Sequence, residues 1–191
     1  MFALKKKYFL IIENTKDIDL SNIKKKNKFV IIYRNLESKE SISNLINFRR
    51  LCKLKLIEFY IANNAKLAIM TKSDGLYLSS YNKDLKYLNF RHPNFKIIGS
   101  AHNHFEIISK IKQKCSYVLL SKLFFVSYSL KSPYLDVVKF NRYTLKFKMN
   151  LIPLGGIQMK NLNKLQMVSC SGFALLSEIK KKPVEIINRL F

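Results

Sequence analysis

Apolar residues fall in short runs along this chain, and between the runs they spread out to a helical spacing. The runs at 8–12, 29–33, 57–61, 75–78, 95–98, 117–120, 151–154 and 172–175 are rich in β-branched and aromatic side chains, which predicts strands. Residues 15–26 are polar, with Ile18, Leu20 and Ile23 as weak anchors, and predict a reduced first helix. Residues 41–53 place Ile42, Leu45, Ile46, Phe48 and Leu51 near a 3.6-residue period, with Ser41 as the cap. Further helices are expected at 65–71, at 105–114 with Ile107, Ile108 and Ile111 inward, and at 137–148 and 161–168. A last one is expected at 183–190, with Pro183 in its first turn. Residues 82–95 read as irregular and 124–136 as a long loop.

Strict alternation of strand and helix implies a parallel sheet, and eight such units point to a closed barrel. The expected fold is therefore α/β, a compact (β/α)8 TIM barrel with shortened helices, as a single domain over residues 1–191. The shortening follows from length, since such barrels usually need roughly 200 residues or more and this chain has 191. An open, doubly wound sheet is the structural alternative, but no GxGxxG fingerprint occurs.

Composition narrows the picture further. Hydrophobic residues make up 48% of the chain, which excludes a disordered polymer. No apolar run approaches the ~20 residues of a spanning helix. The stretch 8–12 after Lys5, Lys6 and Lys7 is too short for a secretory core, so a cytoplasmic location and no membrane partner are expected. Cys52, Cys115 and Cys170 are odd in number and lack CxxC spacing, which reads as free thiols in a reducing compartment.

The net charge of +23 raises the question of nucleic acid. Arginine occurs only at 34, 49, 50, 91, 142 and 189, and the lysines are scattered among abundant Asn and Ile, a pattern of A/T-rich codon usage rather than of a built phosphate-binding face. The expectation is no nucleic-acid partner. A cationic surface still concentrates small anions.

The strongest chemical signal is a strand, 151–154, that runs into Gly155–Gly156, with Asn161 opening the next helix. Glycine lets backbone N–H groups approach an oxyanion closely. Phosphate-binding barrels use the loops after strands seven and eight, which here are this turn and Leu176, Ser177 and Glu178. A plain tight turn is the alternative.

At these strand ends the sequence resembles the thiamine phosphate synthase/TenI family. Tyr33–Arg34 falls where the family has its strand-two Arg, and 61–64 is similar to its Ile-Asn-Asp. Residues 74–78 resemble Asp-Gly-Val-His-Leu, and 98–102 resemble Gly-x-Ser-x-His. Residues 154–157 followed by Asn161 resemble Ile-Gly-Gly-Ile…Asn, and 171–177 resemble Asp-Gly-Val-Ala-Val-Val-Ser. The resemblance implies a transferase of thiamine biosynthesis that joins hydroxymethylpyrimidine diphosphate to a thiazole phosphate and releases pyrophosphate. It implies phosphate binding by Gly155, Gly156, Leu176 and Ser177. It implies diphosphate binding by Arg34, Asn63, Ser127, Ser129 and Lys131, and a Mg²⁺ cofactor. Electrostatic stabilisation of the departing pyrophosphate is the main catalytic effect in such chemistry.

The chain also departs from the family pattern. The two metal-ligand Asp positions are Asn64 and Asn82, and neutral amides bind Mg²⁺ much less well than carboxylates. Asp84 is the nearest acid. Ile32 and Leu36 replace a Gln and a Lys beside Arg34, with Lys39 as a stand-in for the latter. A second reading follows from the TenI branch, a metal-free thiazole tautomerase whose acid/base would be His102. A third is a non-catalytic phosphate-ligand binder on the same barrel. His102 and His104 have an HxH spacing without further ligands, which argues against zinc. Glu13 reads as a strand-end surface carboxylate.

Overall fold

The computed structural model describes residues 7–23, 27–35, 40–89, 95–126 and 133–176. Its strands are β1 (Lys7–Ile12), β2 (Phe29–Tyr33), β3 (Glu58–Ala62), β4 (Gly75–Leu78), β5 (Lys96–Ala101), β6 (Tyr117–Ser121), β7 (Leu151–Leu154) and β8 (Gly172–Leu175). Each pairs in parallel with the next, and β8 pairs with β1, with Tyr8 opposite Phe173 and Leu10 opposite Leu175. That last pairing closes the sheet and rules out the open alternative.

Strand side chains alternate between two apolar layers, because successive Cβ atoms point to opposite faces. Phe9, Ile11, Val30, Ile32, Tyr60, Tyr77, Ile98, Leu119 and Ile152 fill the barrel interior. Their neighbours Tyr8, Leu10, Phe29, Ile31, Phe59, Ile61, Leu76 and Leu120 point outward into the layer shared with the helices. At the strand N-termini a polar plug closes the interior. There Lys7 is ion-paired with Glu58, Lys96 lies 3.6 Å from it, and the Tyr60 hydroxyl donates to it at 2.7 Å.

The helices are α1 (Ile42–Leu54), α2 (Ala65–Met70), α3 (His104–Lys112) and α4 (Asp136–Lys146). Ser41, Asn64 and Asn103 cap the first three, each side chain accepting from a backbone N–H of the first turn. Elsewhere the crossovers shrink. Within the expected first helix the described residues 15–23 form no α-helix: single 3-10 turns at Thr15–Asp17 and Leu20–Asn22 stand in its place, each held by its own Asn or Asp cap. The expected helix at 161–168 is a 3-10 segment, Met159–Met167. The expected helix at 183–190 lies outside the described residues, as do the lysine runs 24–26 and 180–182. β5 continues through Gly99 to Ala101, three residues beyond the expected end at 98.

Two helix faces differ from the expected ones. On α1 the buried residues are Leu45, Phe48 and Cys52, while Ile42, Ile46 and Leu51 face solvent. On α3, Ile107 is buried, but Ile108 and Ile111 are about 40% exposed and Lys110 is fully buried between them. The Lys110 stem crosses Gly99, where an added Cβ would stand 2.7 Å from its Cδ. Its ammonium donates to Ser79 O, Asn82 O and Gln113 Oε1 at 2.8, 2.6 and 2.9 Å. Three N–H groups meet three acceptors, so a cation takes a place that periodicity assigns to isoleucine. Among the described residues no helix is long and apolar enough to cross a membrane.

Candidate functional site

The C-terminal ends of the strands open into a cavity of about 380 Å³. Arg34 reaches it from the end of β2, Tyr77 and Ser79 from β4, Ser100 and His102 from β5, and Ser121 and Lys122 from β6. Gly155, Gly156 and Leu176 form the side under β7 and β8.

The glycine turn is held from outside the cavity. Asn161 Nδ2 donates to Gly156 O at 2.7 Å, and Asn161 Oδ1 accepts from Gln158 N at 2.8 Å. Phe124 N donates to Gly155 O at 3.1 Å. Gly155 and Gly156 have φ of 90° and 70°, a left-handed geometry that costs an L side chain roughly 1–2 kcal/mol. At Gly156 a Cβ would also stand 2.5 Å from Phe124 O and 2.7 Å from Phe125 O, so no side chain fits without moving backbone. Among the described residues the N–H groups of Gly156 and Ile157 have no hydrogen-bond partner. A turn with unpartnered donors beside a cavity is chemically suited to an oxyanion.

His102 hydrogen-bonds Ser121 through Nδ1, with Nδ1 and Oγ 2.8 Å apart, and this links the ends of β5 and β6. The His102 backbone N–H donates to Glu106 Oε2 at 2.7 Å, fixing the residue at the start of α3. Burial raises the pKa of the Tyr77 phenol, against the opposing hydrogen bond with Ser100 and the charge of Arg34, so Tyr77 enters the cavity as a neutral hydroxyl.

The structure thus brings together Arg34, His102, Gly155, Gly156 and Leu176. It keeps the three asparagines apart from them. Asn63, at φ 53°, is a hub of the rim: its Nδ2 donates to Ser79 Oγ at 2.6 Å and Tyr81 OH at 3.1 Å, and its Oδ1 accepts from Ser79 N at 3.0 Å. Asn64 spends its Oδ1 on Leu67 N, at 2.9 Å, as the α2 cap. Asn82 accepts from Asp84 N at 3.0 Å and donates to Asn63 at 3.4 Å. Asp84 pairs with Lys86 at 2.6 Å. Among the described residues no three His, Cys, Asp or Glu side chains converge as metal ligands. A hard divalent cation takes several oxygen donors, carboxylates first. Two amides already engaged in capping and turn bonds do not fit that demand, so the donors at positions 64 and 82 do not suit Mg²⁺. Ser127, Ser129, Lys131 and Ser177 lie outside the described residues, as do Leu36 and Lys39.

Sequence reasoning missed Lys122. It follows β6 directly and packs beside the glycine turn, its Cβ 3.2 Å from where a Gly155 Cβ would lie. The available signal was a lysine one residue past a strand end, the place where barrel chemistry collects.

Fold and cavity together define a (β/α)8 barrel with a glycine-sided, cationic mouth at its strand C-termini. Within that class the chain belongs to the thiamine monophosphate synthase family, whose model matches residues 17–179. Thiamine-phosphate synthase of Clostridioides difficile is 26% identical over 151 residues, covering 78% of this chain and 71% of that protein. The enzyme of the same name from Flavobacterium johnsoniae is 28% identical over 164 residues, covering 81% and 77%. Against its counterpart in Prochlorococcus marinus subsp. pastoris, at 25% identity, 76% of this chain matches but only 42% of that protein. Among solved structures, thiamine phosphate pyrophosphorylase from Pyrococcus furiosus superposes with a TM-score of 0.75 over 98% of both chains, at 15% identity. KGPDC from Streptococcus mutans superposes at 0.66 with 9% identity, covering 96% of this chain and 94% of that one. These two likenesses speak to the fold.

Proposed function

We propose that this chain is a thiamine-phosphate synthase-like transferase, acting in the cytoplasm on small phosphorylated substrates. It would join hydroxymethylpyrimidine diphosphate to a thiazole phosphate and release pyrophosphate. The observation that carries the reading is the Gly155–Gly156 turn, which lines the barrel mouth and leaves the Gly156 and Ile157 N–H groups without a partner among the described residues, in a member of this family.

On this reading the thiazole phosphate sits on the turn, with Leu176 and Ser177 completing the cup. Arg34 and Lys122 face the pyrimidine diphosphate across the cavity. The bond from the pyrimidine methylene carbon to the diphosphate oxygen breaks, and its electron pair leaves with pyrophosphate. The thiazole nitrogen lone pair then forms the new bond to that carbon. The chain contributes fixed cations and dipoles aimed at the leaving oxygens, and a dry apolar floor of Tyr77, Leu154 and Ala174. No carboxylate pair for Mg²⁺ supports the charge at positions 64 and 82, so Arg34 and Lys122 carry more of it here.

Incubating the full chain with both substrates, with and without Mg²⁺, tests the proposal. Thiamine phosphate should form, and Arg34→Ala should slow it at least about 100-fold, the cost of one lost charge-assisted contact to the leaving group. No product at any metal concentration would end the synthase reading.

One observation favours the tautomerase reading: His102 is oriented by Ser121 at the cavity edge, a suitable placement for a proton shuttle. Metal-independent thiazole tautomer conversion that disappears in His102→Ala would establish it, and unchanged conversion in that variant would remove His102 as the catalyst. Binding of thiazole phosphate with neither activity would leave a non-catalytic binder.

A further inference from the structure

A second cavity, of about 520 Å³, lies on the other side of the wall made by His102, Ser121 and Lys122, which line both cavities. Its far side is α4. Lys139, Arg142 and Lys146 stand three and four residues apart, which puts them on one helix face, and all three line the groove. Lys122, the residue after β6, lines the same groove.

Among the described residues none of these three α4 cations makes an ion pair. Lys146 Nζ lies 5.7 Å from the Phe147 ring centroid. The nearby carboxylates are engaged elsewhere. Glu106 accepts from His102 N and Asn103 Nδ2, and Asp136 accepts from Val138 N at 2.6 Å. Like charges at this spacing repel and destabilise a helix unless an anion covers them. The general lysine excess spreads charge over the surface. It does not explain cations on one face, Arg142 among them, aimed into a concavity that adjoins the mouth.

The span also matters. From Lys139 to Lys146 is seven residues, roughly 10 Å along the helix. That is a long contact for one phosphate and suits two linked ones. We propose that the α4 groove binds a diphosphate without a metal ion. Resting on the transferase reading, its role is to receive the pyrophosphate that leaves the mouth across the His102–Ser121–Lys122 wall.

Calorimetric titration of the full chain with inorganic pyrophosphate, in the presence of a metal chelator, tests this. The wild-type chain should bind. Lys139→Ala/Arg142→Ala should weaken binding at least about tenfold, since each removes a charge-assisted contact. The control pair Lys53→Ala/Lys66→Ala removes the same net charge from exposed positions of α1 and α2 and should leave binding unchanged. Thermal midpoints of both pairs should not fall below wild type, because all four side chains are exposed and the α4 pair also relieves like-charge repulsion. Three results would each overturn the proposal: no binding without metal, no loss in the α4 pair, or an equal loss in the control pair. The titration needs neither pyrimidine nor thiazole substrate. A chain that makes no product can still pass it, and one that makes product can still fail.

Discussion

Replacing Lys110 by methionine would set two large effects against each other. Methionine keeps most of the stem that packs on Gly99 and removes only the ammonium. The gain is relief from holding a cation out of water, a penalty of several kcal/mol per buried ion. Burial already pushes the Lys110 ammonium below its ordinary pKa. The loss is three charge-assisted hydrogen bonds. Two of the three acceptors keep another donor, Ser79 O from Asn82 N and Asn82 O from Gln113 Nε2. Gln113 Oε1 is left buried and short of a donor. The buried Gln113 Oε1 left without this donor costs more than the relief of desolvation returns, and the net loss is about 2 kcal/mol. At this chain length that lowers the thermal midpoint by about 4–8 °C. Lys110→Ala also removes the stem and should cost about 2 kcal/mol more. Denaturant unfolding of both variants checks the order. A Lys110→Met chain as stable as wild type, or more so, would refute the reasoning, because the ammonium would then be a net burden.

Gly156→Ala should destabilise by about 2–4 kcal/mol, from the left-handed φ and the backbone collision with Phe124, and should abolish inorganic phosphate binding. At Gly155 the nearest atoms to an added Cβ all belong to Lys122, its Cβ at 3.2 Å and its Cα at 3.3 Å, a milder crowding, so Gly155→Ala should cost about 1–2 kcal/mol; equal losses in the two variants would contradict this. Burial alone would raise the Glu58 carboxyl, but hydrogen bonds from Lys7 and Tyr60 and the charges of Lys7 and Lys96 hold it below the usual carboxylate range. Its contribution is therefore complete above the unfolded carboxyl pKa and lost as pH falls through the lower folded value, so Glu58→Gln should flatten the acid limb of a stability-against-pH curve, and an unchanged limb would refute the role. Burial pushes the Cys52 and Cys115 thiols up to about 12. A thiol reagent at pH 8 should therefore label the half-buried Cys170 first and the other two only on unfolding; fast native labelling of all three would be inconsistent with that packing.

Strands were the legible part of this chain. A four- or five-residue apolar run buried on both faces has little freedom in register, and β2, β4, β7 and β8 begin and end where the runs do. Helix faces were less legible. Periodicity ranks side chains by hydrophobicity, and on α3 it chose Ile108 and Ile111 over Lys110, whose burial depends on three acceptors brought from residues 79–113 by the closed barrel. The 3-10 form of the reduced first crossover is illegible for a related reason: the turns after β1 are set by the Asn14 and Asp19 caps, which leave no helical period. In the site, residues at strand ends were readable, as Arg34, His102, Gly155 and Gly156 show. Asn64 and Asn82 read as metal-ligand positions because of the Asp residues they replace, and Asn63 as a diphosphate ligand because it matches the family's Asn. In the fold Asn64 caps α2 and Asn82 braces the loop, which only the tertiary neighbours reveal.

The central claim is that the barrel mouth transfers the pyrimidine from diphosphate to thiazole. Phosphorus NMR of the full chain with hydroxymethylpyrimidine diphosphate and thiazole phosphate follows both groups at once. The expected result is one free pyrophosphate for each thiamine phosphate formed, at a rate that collapses in Arg34→Ala. Unchanged substrate signals, or pyrophosphate released without thiamine phosphate, would contradict it.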